Sequence, residues 1–388
     1  MNVEGTCDPR FTPVREAFRE NFASRGELGA AVTVTTEGKS VVDLWGGLAD
    51  KVTRRPWARD TAVVVFSCTK GATALCAHLL VARGKLDLDA PVARYWPEFA
   101  AAGKETIPVR MLLNHQSGLA AIDQPLPIDA LYDWDTMTTA VAAQAPHWEP
   151  GTAHGYHAMT FGWLVGELVR RISGRSLGTF FHEEVAGPLG LDFWIGLPEA
   201  LEARVAPIRM APLTGETTPI MRAMAERGSL ISRAFMNPPG LMTARQVNAR
   251  ALHAAEVPAA NGIATARALA GMYTPLACGA SFSGVEMLDR DTLQAMARLE
   301  SEGDDRILLI PTRFASGFMK SIDNRPGDSA ILGPNPDAFG HAGAGGSIGM
   351  ADPVARVAIG YVMNQMGAGV LLNARGQALI DAVYASLG

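Results

Sequence analysis

The sequence is short of thiols, of lysine and of long apolar runs. Its four cysteines, Cys7, Cys68, Cys76 and Cys278, form no C-x-x-C pair and no zinc spacing, which argues against a dithiol redox centre or a cysteine-built metal site. Cys68 and Cys76 stand eight positions apart on one predicted helix, too distant to bridge there, so reduced, buried thiols are expected. No stretch approaches the roughly 18 apolar residues of a membrane-spanning helix. The first residues, "MNVEGTCDPRFTPVREAF", carry Glu4 early and no apolar h-region, so a cytoplasmic protein is expected. Positive charge is not in excess: a net charge of -5 and a pI near 5.9 argue against nucleic acid or an anionic membrane as partner.

What is present is ample apolar material. The 388 residues are 48% hydrophobic, enough for a sizeable core or for two lobes sharing one interface. "FTPVREAFRENFA" (11–23) repeats Phe11, Val14, Phe18 and Phe22 at helical spacing. Two β-type runs follow, "LGAAVTVTT" (28–36) and "SVVDLWGG" (40–47), joined by a polar "EGK" hairpin turn. Residues 68–82 are rich in Ala and Leu and predict a helix, as does "MTFGWLVGELVRRI" (159–172). Near the end, "FASGFMK" (314–320), "GSIGMADP" (346–353) and "RVAIGYVMN" (356–364) read as strands, and "LLNARGQALIDAVYASL" (371–387) as a closing helix. The expected architecture is α+β: an antiparallel sheet built from both termini, flanked by helices. Segments 1–85 and 256–388 form this α/β part, and 86–255 form an inserted, mainly helical subdomain. No internal repeat interrupts it.

Only six lysines occur, and one of them, Lys70, sits at the edge of an apolar helix in "VVVFSCTKGATALCAHLL". Residues three apart on a helix share a face, so Lys70 meets Ser67 at the helix N-terminus. There the free N–H groups and the helix dipole favour a developing negative charge. The same positive end, with burial, lowers the lysine pKa. A neutral amine can take the serine proton, which is what activates a weak hydroxyl nucleophile. Ser-x-x-Lys alone is a short pattern, equally consistent with a surface lysine. The apolar runs on both sides argue otherwise, because an unpaired charge between them is costly.

Four segments in order resemble one family. "FSCTK", "MLLNHQSGL" (111–119), "EPGTAHGYHAMTFGWLVGELV" (149–169) and "FGHAGAGGS" (339–347) are similar to the motifs of the serine β-lactamase and penicillin-binding fold. The likeness is strongest to its class C β-lactamase branch and the related family VIII carboxylesterases. The resemblance implies Ser67, Lys70 and Tyr156 as catalytic residues. It implies an oxyanion hole from the N–H groups of Ser67 and Ala344, with His157, His341 and Gly343 beside the substrate. A phenol near pKa 10 next to a Lys70 ammonium would favour phenolate, so the two are expected to share one proton. His115 is expected to hold its loop by side-chain hydrogen bonds. His157 and His341 lack a spaced partner for a metal, and no metal or cofactor is implied.

Two departures from the family pattern bear on substrate. The class C motif Tyr-x-Asn, whose asparagine binds a substrate amide, is here Tyr156-His157-Ala158. The third motif Lys-Thr-Gly, whose lysine helps hold the substrate carboxylate, is here His341-Ala342-Gly343, and a histidine near pKa 6.5 is only partly charged at neutral pH. Grips for a β-lactam are gone while the acyl-transfer groups remain. The reading is therefore a serine carboxylesterase acting on short-acyl, small-molecule esters through an acyl-Ser67 intermediate. The alternatives are a β-lactamase or D-amino-acid peptidase, an acyltransferase to an alcohol, and a non-catalytic scaffold, which has no need of the trio. Two Gly-x-Ser-x-Gly matches, at Ser176 and Ser347, compete for the nucleophile. "GRSLG" follows a helix instead of the strand that a nucleophile elbow requires.

Overall fold

The computed structural model describes residues 2–210, 219–239, 243–282, 285–325 and 329–388. Its centre is one antiparallel sheet whose strands come from the two ends of the chain. They are β1 (Val3–Cys7), β2 (Gly29–Thr36), β3 (Lys39–Asp50), β4 (Ser301–Asp304), β5 (Pro311–Phe314), β6 (Met319–Lys320), β7 (Phe339–Ala342), β8 (Ile348–Asp352) and β9 (Val357–Met363). Their order across the sheet is β1-β3-β2-β9-β8-β7-β6-β5-β4, and Arg55–Pro56 adds a short pairing to β3. This is the α+β arrangement expected from the sequence.

Local chemistry explains the hairpins. Thr36 pairs with Lys39, leaving Glu37 and Gly38 as a two-residue turn with φ of 50° and 79°. Left-handed backbone at both positions gives the turn a twist matching that of the strands. The period of two then sorts side chains between layers. Along β9, Val357, Ile359, Tyr361 and Met363 join one core cluster, whereas Ala358 and Val362 join the other. The first cluster is completed by α1 (Thr12–Ser24) and the closing helix α5 (Ala374–Leu387), which pack on each other. On the opposite face lies α4 (Ala266–Ala277), against β9, β8 and β2. Thr35 Oγ1 meets Thr274 Oγ1 there at 2.8 Å.

Helix α2 (Thr69–Ala82) is enclosed: every residue from Thr69 to Leu80 is buried. Its Ala- and Leu-rich sequence is apolar on all sides, as an interior helix requires. It packs against α3 (Thr160–Ser173), which Gly174 ends with a left-handed φ of 72°. One expectation about a strand needs correction. The run 314–320 is not one strand: Ser316 and Gly317 (φ 86°) turn the chain between β5 and β6, with Phe314 opposite Met319. The N-terminal residues also form an edge strand, β1. The cysteines are all unpaired, with Cys68 and Cys76 buried but Cys7 and Cys278 partly exposed.

No described helix is long and apolar enough to cross a membrane.

Candidate active site

The segment entering α2 is built to present one hydroxyl. Val63 and Val64 form a short buried strand, and Phe66 then takes a left-handed φ of 48°. A bulky residue is strained there, and such strain persists only where surrounding structure imposes it. The resulting turn, Phe66–Cys68, feeds directly into α2. From Thr61 to Leu80, Ser67 alone is not buried.

Lys70 lies beneath it, fully buried. Its Nζ is 3.2 Å from Ser67 Oγ, 2.8 Å from the carbonyl of Ala158 and 2.9 Å from the carbonyl of Ala259. Burial holds its pKa well below the usual lysine range. A neutral amine has two N–H bonds and one lone pair. In the neutral form the two carbonyls would take the N–H bonds and the lone pair would face the Ser67 hydroxyl.

Tyr156 is also buried, with the Ser67 side chain among the neighbours that act on its phenol. Burial pushes the phenol pKa well above its ordinary value. Lys70 Nζ sits over the tyrosine ring, 4.7 Å from its centroid. Burial thus works against both members of the phenolate–ammonium pair expected from the sequence, and Lys70 Nζ reaches Ser67 Oγ.

The third segment closes on the same turn. Cys68 Sγ donates to the His341 carbonyl across 3.1 Å. A Cβ on Gly343 would lie 2.3 Å from the Val65 carbonyl oxygen and 3.3 Å from Cys68 Sγ. The missing side chain thus admits the nucleophile turn. From Ala338 to Asp352, only Ala344 is not buried. Among the described residues, neither the Ser67 nor the Ala344 N–H has an acceptor. Two donors aimed at a developing oxyanion are what acyl transfer needs.

The histidines differ from expectation. His157 is wholly buried; one ring nitrogen meets Ser117 Oγ and the other the Gly155 carbonyl, both at 2.8 Å. No ring nitrogen is left for a substrate, so His157 supports the tyrosine loop from behind. His115 Nδ1 accepts the His157 N–H at 3.2 Å, tying that loop to the 111–119 segment. His341 is buried too, with Nδ1 on the Ala342 carbonyl at 2.7 Å. Burial lowers its pKa to about 3, so it is neutral at pH 7 and not partly charged. Ser176 is an N-cap whose hydroxyl donates to Glu256 Oε1 at 2.6 Å, and Ser347 is buried just before β8. The first hydroxyl is engaged and the second is closed off from solvent. Among the described residues no group of three His, Cys, Asp or Glu side chains is placed to hold a metal.

Sequence reasoning missed one residue that touches the site, Asp305. Its carboxylate accepts the Tyr156 N–H from a loop 149 positions away. No motif or period marks it.

A half-exposed serine on a strained turn, with a buried lysine three residues on, defines a β-lactamase-like serine hydrolase on this fold. The chain matches the family described as Beta-lactamase over residues 14–383 and belongs to it. It is 40% identical over 369 residues to "Esterase/beta-lactamase LipL" of Mycobacterium tuberculosis, covering 94% of this chain and 83% of the relative. A solved family VIII carboxylesterase superposes with a TM-score of 0.90 at 41% identity, over the whole of both chains. A penicillin-binding protein homologue from Caulobacter crescentus gives 0.89 at 38% identity, again over the whole of both.

Proposed function

We propose that this protein is a serine carboxylesterase that hydrolyses short-acyl esters through an acyl-Ser67 intermediate. The observation that carries the reading is the neutrality of the site. Burial disfavours the charged forms of Lys70, Tyr156, His157 and His341, and lowers the two histidines to about 3. Ala158 offers no side-chain amide, and its carbonyl is spent on Lys70. A substrate carboxylate finds no cation at the position of the third-motif lysine.

In this reading Ser67 Oγ attacks the ester carbonyl as its proton passes to the Lys70 lone pair. The oxyanion is held by the N–H groups of Ser67 and Ala344. Collapse breaks the ester C–O bond, and the leaving alkoxide takes the Tyr156 proton. Lys70 returns its proton to the phenolate, leaving both groups neutral. Water then attacks the acyl-enzyme, losing a proton to the Tyr156–Lys70 pair, and Ser67 regains it as the acid departs. Atoms and charge balance with no cofactor. The LipL and family VIII relatives, named for esterase activity, support the substrate class.

A β-lactam reading is favoured by the second half of the LipL name. It is separated by turnover of p-nitrophenyl esters beside nitrocefin on one preparation. A hydrogen bond to a charged group is worth roughly 1.5–3 kcal/mol. Lacking one or two of them costs a β-lactam carboxylate on the order of tenfold to several-thousandfold in kcat/KM. A neutral ester never uses them. Nitrocefin turned over as well as p-nitrophenyl acetate or butyrate would overturn the esterase reading. A maximum at acyl chains of about ten carbons or longer would overturn only the short-acyl part.

A further inference from the structure

The backbone of Tyr156 is anchored by a charge. Asp305 lies in the loop between β4 and β5 and is 2% exposed. Its two oxygens accept the Tyr156 N–H at 3.0 and 3.1 Å. Oδ1 also accepts the N–H groups of Ile307 and Leu308, both at 2.8 Å, and Oδ2 accepts the Thr312 hydroxyl at 3.1 Å. Thr312 Oγ1 is in turn 2.8 Å from His154 Nε2, and the Arg306 N–H donates to the His154 carbonyl across 3.2 Å. Phe314, at the end of β5, lies parallel to the Tyr156 ring, 6.1 Å between centroids. The 305–314 segment thus grips the tyrosine by its backbone and by its ring.

Among the described residues no lysine or arginine pairs with this carboxylate, and a buried anion without a cation is costly. Capping the 305–308 turn alone does not require that cost, since a neutral Asn or Ser accepts from a turn N–H. An amide has one acceptor oxygen, and its NH2 group cannot replace Oδ2, which accepts the Tyr156 N–H and the Thr312 hydroxyl while Oδ1 holds the turn and shares the Tyr156 N–H. We infer that Asp305 is a positioning residue: it fixes Tyr156 so that the phenol lies against Ser67. The inference rests on the reading of Tyr156 as the acid–base group. Misplacing such a group by about 1 Å costs on the order of a hundredfold.

The test is a four-variant cycle: wild type, Asp305→Asn, Tyr156→Phe and the double variant, with p-nitrophenyl butyrate and with thermal unfolding as a control. Asp305→Asn is expected to lower kcat by roughly ten- to a hundredfold, with KM changed by less than about twofold. In the Tyr156→Phe background the same change should alter single-turnover acylation by less than about twofold, because no phenol is left to place. An equal loss in both backgrounds, an effect on KM alone, or no loss at all would overturn the positioning role. Tyr156→Phe at full kcat would overturn the acid–base reading and this inference with it, whereas preference for nitrocefin would change only the substrate. If Asp305→Asn fails to fold, Thr312→Val takes its place in the cycle. It removes one donor at nearly constant volume, and a several-fold lower kcat with the same dependence on Tyr156 is expected. Wild-type kcat for Thr312→Val in that case would overturn the role.

Discussion

Mild acid should destabilise this protein, and the buried histidines set the size of the effect. His78, His157 and His341 are at most 1% exposed. Burial, first among the causes, lowers their pKa values to about 4, 3 and 3. In the unfolded chain each titrates near 6.5. Between those values the unfolded state binds protons that the folded state refuses. The stability these residues contribute is therefore present above about pH 6.5 and lost as pH falls. Going from about pH 7 to about pH 5, protonation favours the unfolded chain by about 2 kcal/mol per histidine, roughly 6 kcal/mol for three. Glu27 runs the other way. Burial raises it to about 7, although Arg375 sits 2.8 Å away, so the folded state takes up its proton first and regains roughly 2 kcal/mol over the same range. The net loss is about 4 kcal/mol, against a total stability of about 5–15 kcal/mol for an ordinary domain. Carboxylates held low by turn hydrogen bonds, such as Asp133 and Asp289, add their losses only at more acid pH. Urea unfolding followed by tryptophan fluorescence at several pH values measures the slope. His78 contacts only the Ser316 carbonyl through its ring nitrogens, at 2.9 Å, so His78→Gln should roughly halve the pH dependence. Stability equal within about 1 kcal/mol at the two pH values would refute neutral burial of these rings.

Two further outcomes concern the chemistry. Ser67→Ala should abolish ester turnover with the melting temperature nearly unchanged, and a fluorophosphonate probe should label Ser67; label on Ser176, read by mass spectrometry, would contradict the assignment. Lys70→Ala and Tyr156→Phe should each lower kcat by roughly 10²–10⁴-fold, and together by much less than the product, because they act on one proton. Lys70→Arg should not rescue, since a guanidinium stays charged. Activity should persist below the usual lysine range and fall as pH drops through the lowered pKa of Lys70; an acid limb near the ordinary value of about 10.4 would contradict a neutral base.

The sequence by itself determined those features whose cause lies within a few residues. The helix over 12–24 follows from the spacing of Val14, Phe18 and Phe22, and the hairpin from two β-branched runs around Glu37-Gly38. The pairing of Ser67 with Lys70 follows from the helical turn between them, and the order of four motifs indicated the family. Tertiary structure decided everything that depends on burial or on distant partners. The sequence suggests a lowered pKa for Lys70, but its full burial and its partners, the carbonyls of Ala158 and Ala259, 88 and 189 positions away, are set only by the tertiary structure. His157 and His341 stand beside motif residues and were expected to meet substrate. The packing of the tyrosine loop and of β7 turned them inward: His157 satisfies both ring nitrogens on Ser117 and Gly155, whereas His341 keeps Nδ1 on the Ala342 carbonyl and leaves Nε2 buried without a partner among the described residues. Ser316-Gly317 broke an apparent strand because the left-handed φ at Gly317 turns β5 back onto β6. Asp305 left no trace at all, since a carboxylate that anchors a backbone N–H carries no periodicity. Its partner is fixed only when the loop joining two sheet strands closes over the tyrosine.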